Sequence, residues 1–128
     1  MAPRLHQTYL MTTDLKRSRE FYTKVLGLEA ADESENSIAF DTGECTLKIE
    51  RDHDEAALEA FGMESPGDDR GRGIIVVVAV DDIDAVHERA SDHDAGEALT
   101  EPRMTDWDRY LCMLRDPDGY VIEASRPQ

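Results

Sequence analysis

The sequence predicts an α+β domain built from one strand–helix–three-strand unit used twice. Three observations carry this reading. Asp14 and Asp82 each stand after a strand-like run and before an amphipathic stretch that a glycine follows, Gly27 and Gly96. Superimposed as helix caps, they put Leu15 on Ile83 and Gln7 on Ile75, the latter pair each seven residues before its cap. The closing strands also correspond, Leu47-Lys48-Ile49-Glu50 falling on Tyr120-Val121-Ile122-Glu123. Self-similarity at about half the chain length marks a pseudo-twofold architecture.

Taken in order, Tyr9, Leu10 and Met11 suit a buried strand. Asp14 offers a carboxylate to the free amides of the first helical turn, and Phe21, Tyr22, Val25 and Leu26 make one apolar stripe. Gly27 tolerates the left-handed conformation that ends such a helix. A short strand over residues 28–31, a polar turn over 32–37 and strands over 38–41 and 45–51 follow, the last two joined by a turn at Thr42-Gly43. Residues 54–61 suit a short helix, and residues 62–73, rich in glycine and charge, read as an exposed linker. The apolar run 74–80 suits a strand buried on both faces. Asp82 then caps a helix with Ile83, Val86 and Ala90 on one face. Strands are predicted over 98–100, 109–114 and 120–125, with Asp116-Pro117-Asp118-Gly119 as a tight turn between the last two. The expected organisation is a single domain over residues 1–128, with a first module at about 4–61, the linker at 62–73 and a second module at about 74–126.

Composition narrows the function. With 29 acidic against 14 basic residues the formal net charge is -15, so nucleic acid and anionic membranes are excluded as partners by repulsion. Three of the basic residues are lysine and eleven arginine. That acid-rich, lysine-poor balance is of the halophilic type, suited to a salt-rich cytoplasm in which self-repulsion is screened within a few Å. Cys45 and Cys112 have no CxxC partner and read as two buried thiols in a reducing compartment. The longest apolar run is too short for a bilayer and no signal-peptide pattern precedes the first strand, so the expectation is a soluble, cytoplasmic protein.

The run DLKRSREFYTKVLGLE after a short strand, together with DPDGYVIE near the C-terminus, resembles the vicinal oxygen chelate superfamily of glyoxalase I, bleomycin-resistance proteins and extradiol dioxygenases. The resemblance covers nearly the whole chain. It implies two tandem βαβββ modules forming a curled mixed sheet around a cavity, a homodimer, and a divalent metal held by the first and last strands of the modules. Carried over position by position, the ligands fall on Gln7, Glu50 and Glu123. Spacing to Asp14 selects Gln7 over His6, which alternation points to the other face. The remaining position, a histidine in glyoxalase-like members, is here Ile75.

Alternation places Gln7, Tyr9 and Met11 on one face, and likewise Ile75 with Val77, Lys48 with Glu50, and Val121 with Glu123. If those faces line the cavity, two carboxylates meet an amide, an ammonium and an apolar wall. They must then share a proton, pair with Lys48 or an arginine, or bind a cation. The oxygen set Gln7, Glu50, Glu123 suits Mg or Mn better than Ni or Zn, and Glu123 or Glu50 could serve as the proton-moving base of a glyoxalase-type lyase or isomerase. Beside this stands a metal-free protein that binds or sequesters a small molecule, the reading that Ile75 favours. Each residue also has a plain structural role open to it: an inter-strand hydrogen bond for Gln7, a solvated strand end for Glu50, a surface place for His53, His87 and His93. Trp107 and Arg109 lie where a loop could fold over the cavity and suit a planar or anionic ligand.

Overall fold

The computed structural model describes residues 1–126. Along the chain run β1 (Gln7–Thr12), α1 (Leu15–Glu20), a π-helical turn (Phe21–Val25), β2 (Ala30–Glu33), β3 (Ser37–Asp41), β4 (Thr46–Arg51), α2 (Glu55–Ala60), β5 (Ile75–Ala79), α3 (Ile83–Asp92), β6 (Glu97–Ala98), β7 (Arg103–Met104), β8 (Tyr110–Arg115) and β9 (Val121–Ser125). The first sheet has the order β1-β4-β3-β2 and the second β5-β9-β8-β6, with β7 also on β8. In each, the first strand lies parallel to the last and the rest are antiparallel. This is the α+β fold of repeated modules that the sequence predicts.

The helices α1, α2 and α3 each start on an aspartate. Asp14, Asp54 and Asp82 accept from the backbone N–H groups of Arg17, Ala57 and Ala85 at 3.2, 2.8 and 3.0 Å, satisfying donors that the first turn leaves free. Asp14 leads into a helix that changes winding halfway. The Thr23 hydroxyl takes the Arg19 carbonyl at 2.6 Å, and from there the helix runs as the π turn, with Leu26 N–H donating to the Phe21 carbonyl at 3.1 Å. Gly27 ends it at φ 85°.

One core joins the halves. Leu10, Ile38, Phe40 and Ile49 of the first sheet, Phe21, Tyr22 and Val25, the α3 stripe Ile83, Val86 and Ala90, and Leu114 and Ile122 of the second sheet form a single buried cluster. One face of each sheet is therefore covered by helix, and the alternate residues stand on an open face.

Five details depart from the expectations. β2 runs through Glu33, so part of the predicted polar turn is strand, and the second half gains β7 on β8 where a plain loop is predicted. β5 is an edge strand, paired among the described residues with β9 alone. Its apolar run is therefore not covered on both faces: Ile75 and Val77 are 54% and 53% exposed. Residues 62–73 hold no helix or strand, yet they are tethered. Arg70 is buried, and its guanidinium grips both Asp52 oxygens at 2.6 and 2.7 Å and donates to the Met11 carbonyl. Gly71 is required there, since a Cβ at its φ of 85° would lie 2.7 Å from Tyr120 Cα. Cys45 and Cys112 are free thiols, but only Cys112 is buried.

Candidate functional site

The open face of the first sheet is built by register. β1 and β4 set Gln7 beside Thr46, Tyr9 beside Lys48 and Met11 beside Glu50, while β3 adds Ala39 beside Lys48. These side chains share a face because Leu10, Leu47 and Ile49 between them are in the core. On the second sheet Ile75 lies beside Val121, and Val77 and Met113 flank Glu123. The alternation expected for Gln7, Tyr9 and Met11, for Lys48 and Glu50, and for Val121 and Glu123 is thus what the strands adopt.

A polar cluster occupies the first of these faces. Glu50 has a partner on each oxygen, Lys48 Nζ at 3.6 Å from Oε1 and His53 Nε2 at 2.8 Å from Oε2. The same His53 nitrogen lies 2.8 Å from the Tyr9 hydroxyl. Lys48 also stands over the Tyr9 ring, 5.2 Å from its centroid. His53 Nδ1 is buried and has no hydrogen-bond partner. The plain surface role expected of His53 therefore does not describe it. No periodicity marks it, because it lies just past the end of β4 and only the chain's turn toward α2 folds it back over Tyr9.

Register also corrects the match between the two halves. Gln7 and Ile75 correspond, and two residues on, Tyr9 corresponds to Val77. Lys48, beside Tyr9, therefore takes the place of Glu123, beside Val77, and Glu50 takes the place of Ser125. Matching Glu50 to Glu123 from the strings alone is out by two residues. A two-residue slip keeps every side chain on its face, so alternation cannot detect it.

The four symmetry-related positions thus carry an amide (Gln7), an ammonium (Lys48), an alkyl group (Ile75) and a carboxylate (Glu123). Catalytic zinc-type sites take three protein donors of the N, O or S type, whereas this set offers two, and the ammonium among them repels any divalent cation. Glu50 is four residues from Gln7 along parallel strands, roughly 13 Å, with both oxygens already engaged. Among the described residues no three His, Cys, Asp or Glu are grouped to hold a metal. The residues present do not fit the metal that the resemblance implies.

Of the remaining candidates, Arg109 donates to Ser125 Oγ at 3.5 Å, and Trp107 lies 66% exposed in the turn that Thr105 and Arg109 close. Leu111, on the open face beside Ser125, is buried although it is not part of the main core. That end of the second sheet is covered, while Ile75 and Val77 are bare. A cleft of about 510 Å³ runs between the two edge regions, lined by Thr8, Thr46, Val77 and Ala79 among others; Tyr9, Lys48 and Glu50 do not line it.

The model of the Glyoxalase/Bleomycin resistance protein/Dioxygenase superfamily matches residues 4–124. No curated protein matches the chain. Among solved structures, a protein of unknown function from Agrobacterium tumefaciens str. C58 is 22% identical, with 100% of this chain and 97% of that one covered and a TM-score of 0.81. A glyoxalase-related enzyme from Fulvimarina pelagi is 17% identical, with coverage of 98% and 89% and a TM-score of 0.82. A glyoxalase/bleomycin resistance protein/dioxygenase from Nocardioides is 23% identical, with coverage of 98% and 84% and a TM-score of 0.73. At such identities the likeness is one of fold.

Proposed function

The chain belongs to the Glyoxalase/Bleomycin resistance protein/Dioxygenase superfamily, and from that premise we propose that it binds a small organic molecule on the open faces of its sheets without a metal ion. One observation carries the reading: Lys48 stands where the symmetry of the halves would put the counterpart of Glu123, and Ile75 stands at the position that corresponds to Gln7. An ammonium supplies positive charge to that face without a bound cation, and isoleucine supplies an apolar wall. Binding sites of this kind are mostly apolar, with a few polar groups fixing orientation. The proposal includes a homodimer, supported by the bare apolar edge strand β5, which a second copy would cover.

The competing reading is a metal-dependent lyase or isomerase that uses Gln7, Glu50 and Glu123 as ligands and Glu123 or Glu50 as the base. Elemental analysis of protein purified without chelator or affinity-tag nickel separates the two. We expect well under one equivalent of Mg, Mn, Ni or Zn per chain and no change of stability in chelator. Stoichiometric metal that disappears in Gln7→Ala or Glu123→Ala would overturn the binding reading.

A further inference from the structure

A count of hydrogens in the Tyr9–His53–Glu50–Lys48 cluster assigns it a ligand class, on the premise that the open faces bind a small molecule. His53 Nε2 lies 2.8 Å from both a carboxylate oxygen of Glu50 and the hydroxyl oxygen of Tyr9. Were the imidazole hydrogen on Nδ1, a buried N–H would have no acceptor, and the Nε2 lone pair would face the lone pairs of Glu50. Hydrogen on Nε2 removes the lone-pair repulsion and leaves an unpaired acceptor at Nδ1 in place of an unpaired N–H. That hydrogen goes to Glu50, with the Tyr9 oxygen as a second acceptor. Tyr9 then cannot donate to Nε2, and its own O–H is left to point off the sheet.

Lys48 adds a second donor. It lies beside Tyr9 in register, and its pairing with Glu50 at 3.6 Å uses at most one of its three N–H groups. Two donors on neighbouring strands, one of them charged, match the two oxygens of a carboxylate. Glu50 would repel such a ligand if it stood bare, but His53 and Lys48 hold its two oxygens. Met11 and Ala39 flank the pair on the same face and offer apolar surface to the ligand body. We propose that Tyr9 and Lys48 form a subsite for the carboxylate of a small aromatic or aliphatic acid, and that His53 is a positioning residue that leaves the Tyr9 hydrogen free.

The test uses benzoate and its neutral counterpart benzamide as probes, titrated by calorimetry and by NMR of the full chain. Benzoate is expected to bind and to shift the Tyr9 ring carbon that bears the hydroxyl. Tyr9→Phe and Lys48→Met should each weaken benzoate by about tenfold or more, with Lys48→Met leaving benzamide little changed. The imidazole nitrogen spectrum of His53 should show hydrogen on Nε2, and His53→Gln, which keeps an N–H near that place, should retain benzoate affinity that His53→Ala loses. Equal benzoate affinity in the wild type, Tyr9→Phe and Lys48→Met overturns the subsite, as does hydrogen on Nδ1 for the role of His53. If benzamide binds and benzoate does not, the carboxylate assignment falls and small-molecule binding stands. If neither probe binds, the carboxylate subsite falls, and the binding reading is decided separately by the metal analysis.

Discussion

Tyr22 is fully buried in the middle of the core, and its hydroxyl has one partner, Asp116, at 2.6 Å. Burial pushes the Asp116 carboxyl above the ordinary aspartate range, against the pull of the Tyr22 hydroxyl and the N–H groups of Asp118 and Tyr120. Burial likewise drives the Tyr22 phenol well upward. The folded protein therefore holds the Asp116 proton more tightly than the unfolded chain does. Its contribution to stability is greatest below the ordinary aspartate pKa and declines as pH rises through the raised one. Tyr22→Phe removes one group that favours the charged form. The expected result is an Asp116 titration midpoint, followed by carboxyl-carbon NMR, that starts above the usual range and moves higher in the variant, with a loss of about 2 kcal/mol at neutral pH. A midpoint that stays put would show that the phenol does not support the charge. Tyr22 was legible as core from its spacing, but Asp116 reads in sequence only as a turn residue. Nothing in a one-dimensional pattern tells that a turn 94 residues away supplies the acceptor for a buried phenol.

At the scale of elements, the turn between β8 and β9 is the clasp between the halves. Its Asp118 accepts from the Thr13 amide and hydroxyl at 2.9 and 2.8 Å, from the Thr12 hydroxyl, and from Ser18 at 3.3 Å. Thr12 and Ser18 are themselves buried. The turn thus sits on the entry to α1, and the Tyr120 hydroxyl donating to the Met11 carbonyl extends the junction along β1. Asp118→Ala leaves buried hydroxyls short of an acceptor and should cost about 2 kcal/mol, roughly 8 °C in the thermal midpoint, with Asp118→Asn losing less. A shift within a degree would mean that the core alone holds the halves together. Helices and most strands were readable because caps, stripes and alternation are local. β7, two residues long, was not, since pairing with β8 and not propensity makes it a strand, and β6 is predicted at 98–100 where the structure has Glu97–Ala98.

For the whole molecule, charge is the property read most directly. With a net of -15 spread over 128 residues, self-repulsion opposes folding at low ionic strength, and the screening length falls from about 10 Å at 0.1 M salt to about 3 Å at 1 M. Raising KCl from 0.1 to 2 M should therefore lift the thermal midpoint by ~5 °C or more. An unchanged or falling midpoint would reject the halophilic reading. Assembly is the second property of this scale. Because β5 leaves Ile75 and Val77 half exposed at an unpaired edge, sedimentation should give a dimer that Val77→Lys dissociates into monomers. A wild-type monomer at tens of micromolar protein would refute the dimer. Among the described residues no helix is long and apolar enough to cross a membrane.

By itself the sequence determined the repeated architecture, the helix caps Asp14 and Asp82, the faces of the strands and the acidic surface, because each follows from neighbours within a few residues or from composition alone. Tertiary structure decided which residues meet. Strand register set Lys48, not Glu50, in the place that mirrors Glu123, and a chain turn after β4 brought His53 onto Tyr9. Both are long-range pairings that a period of two leaves undetermined: sliding a strand by two residues preserves its pattern and changes its chemistry.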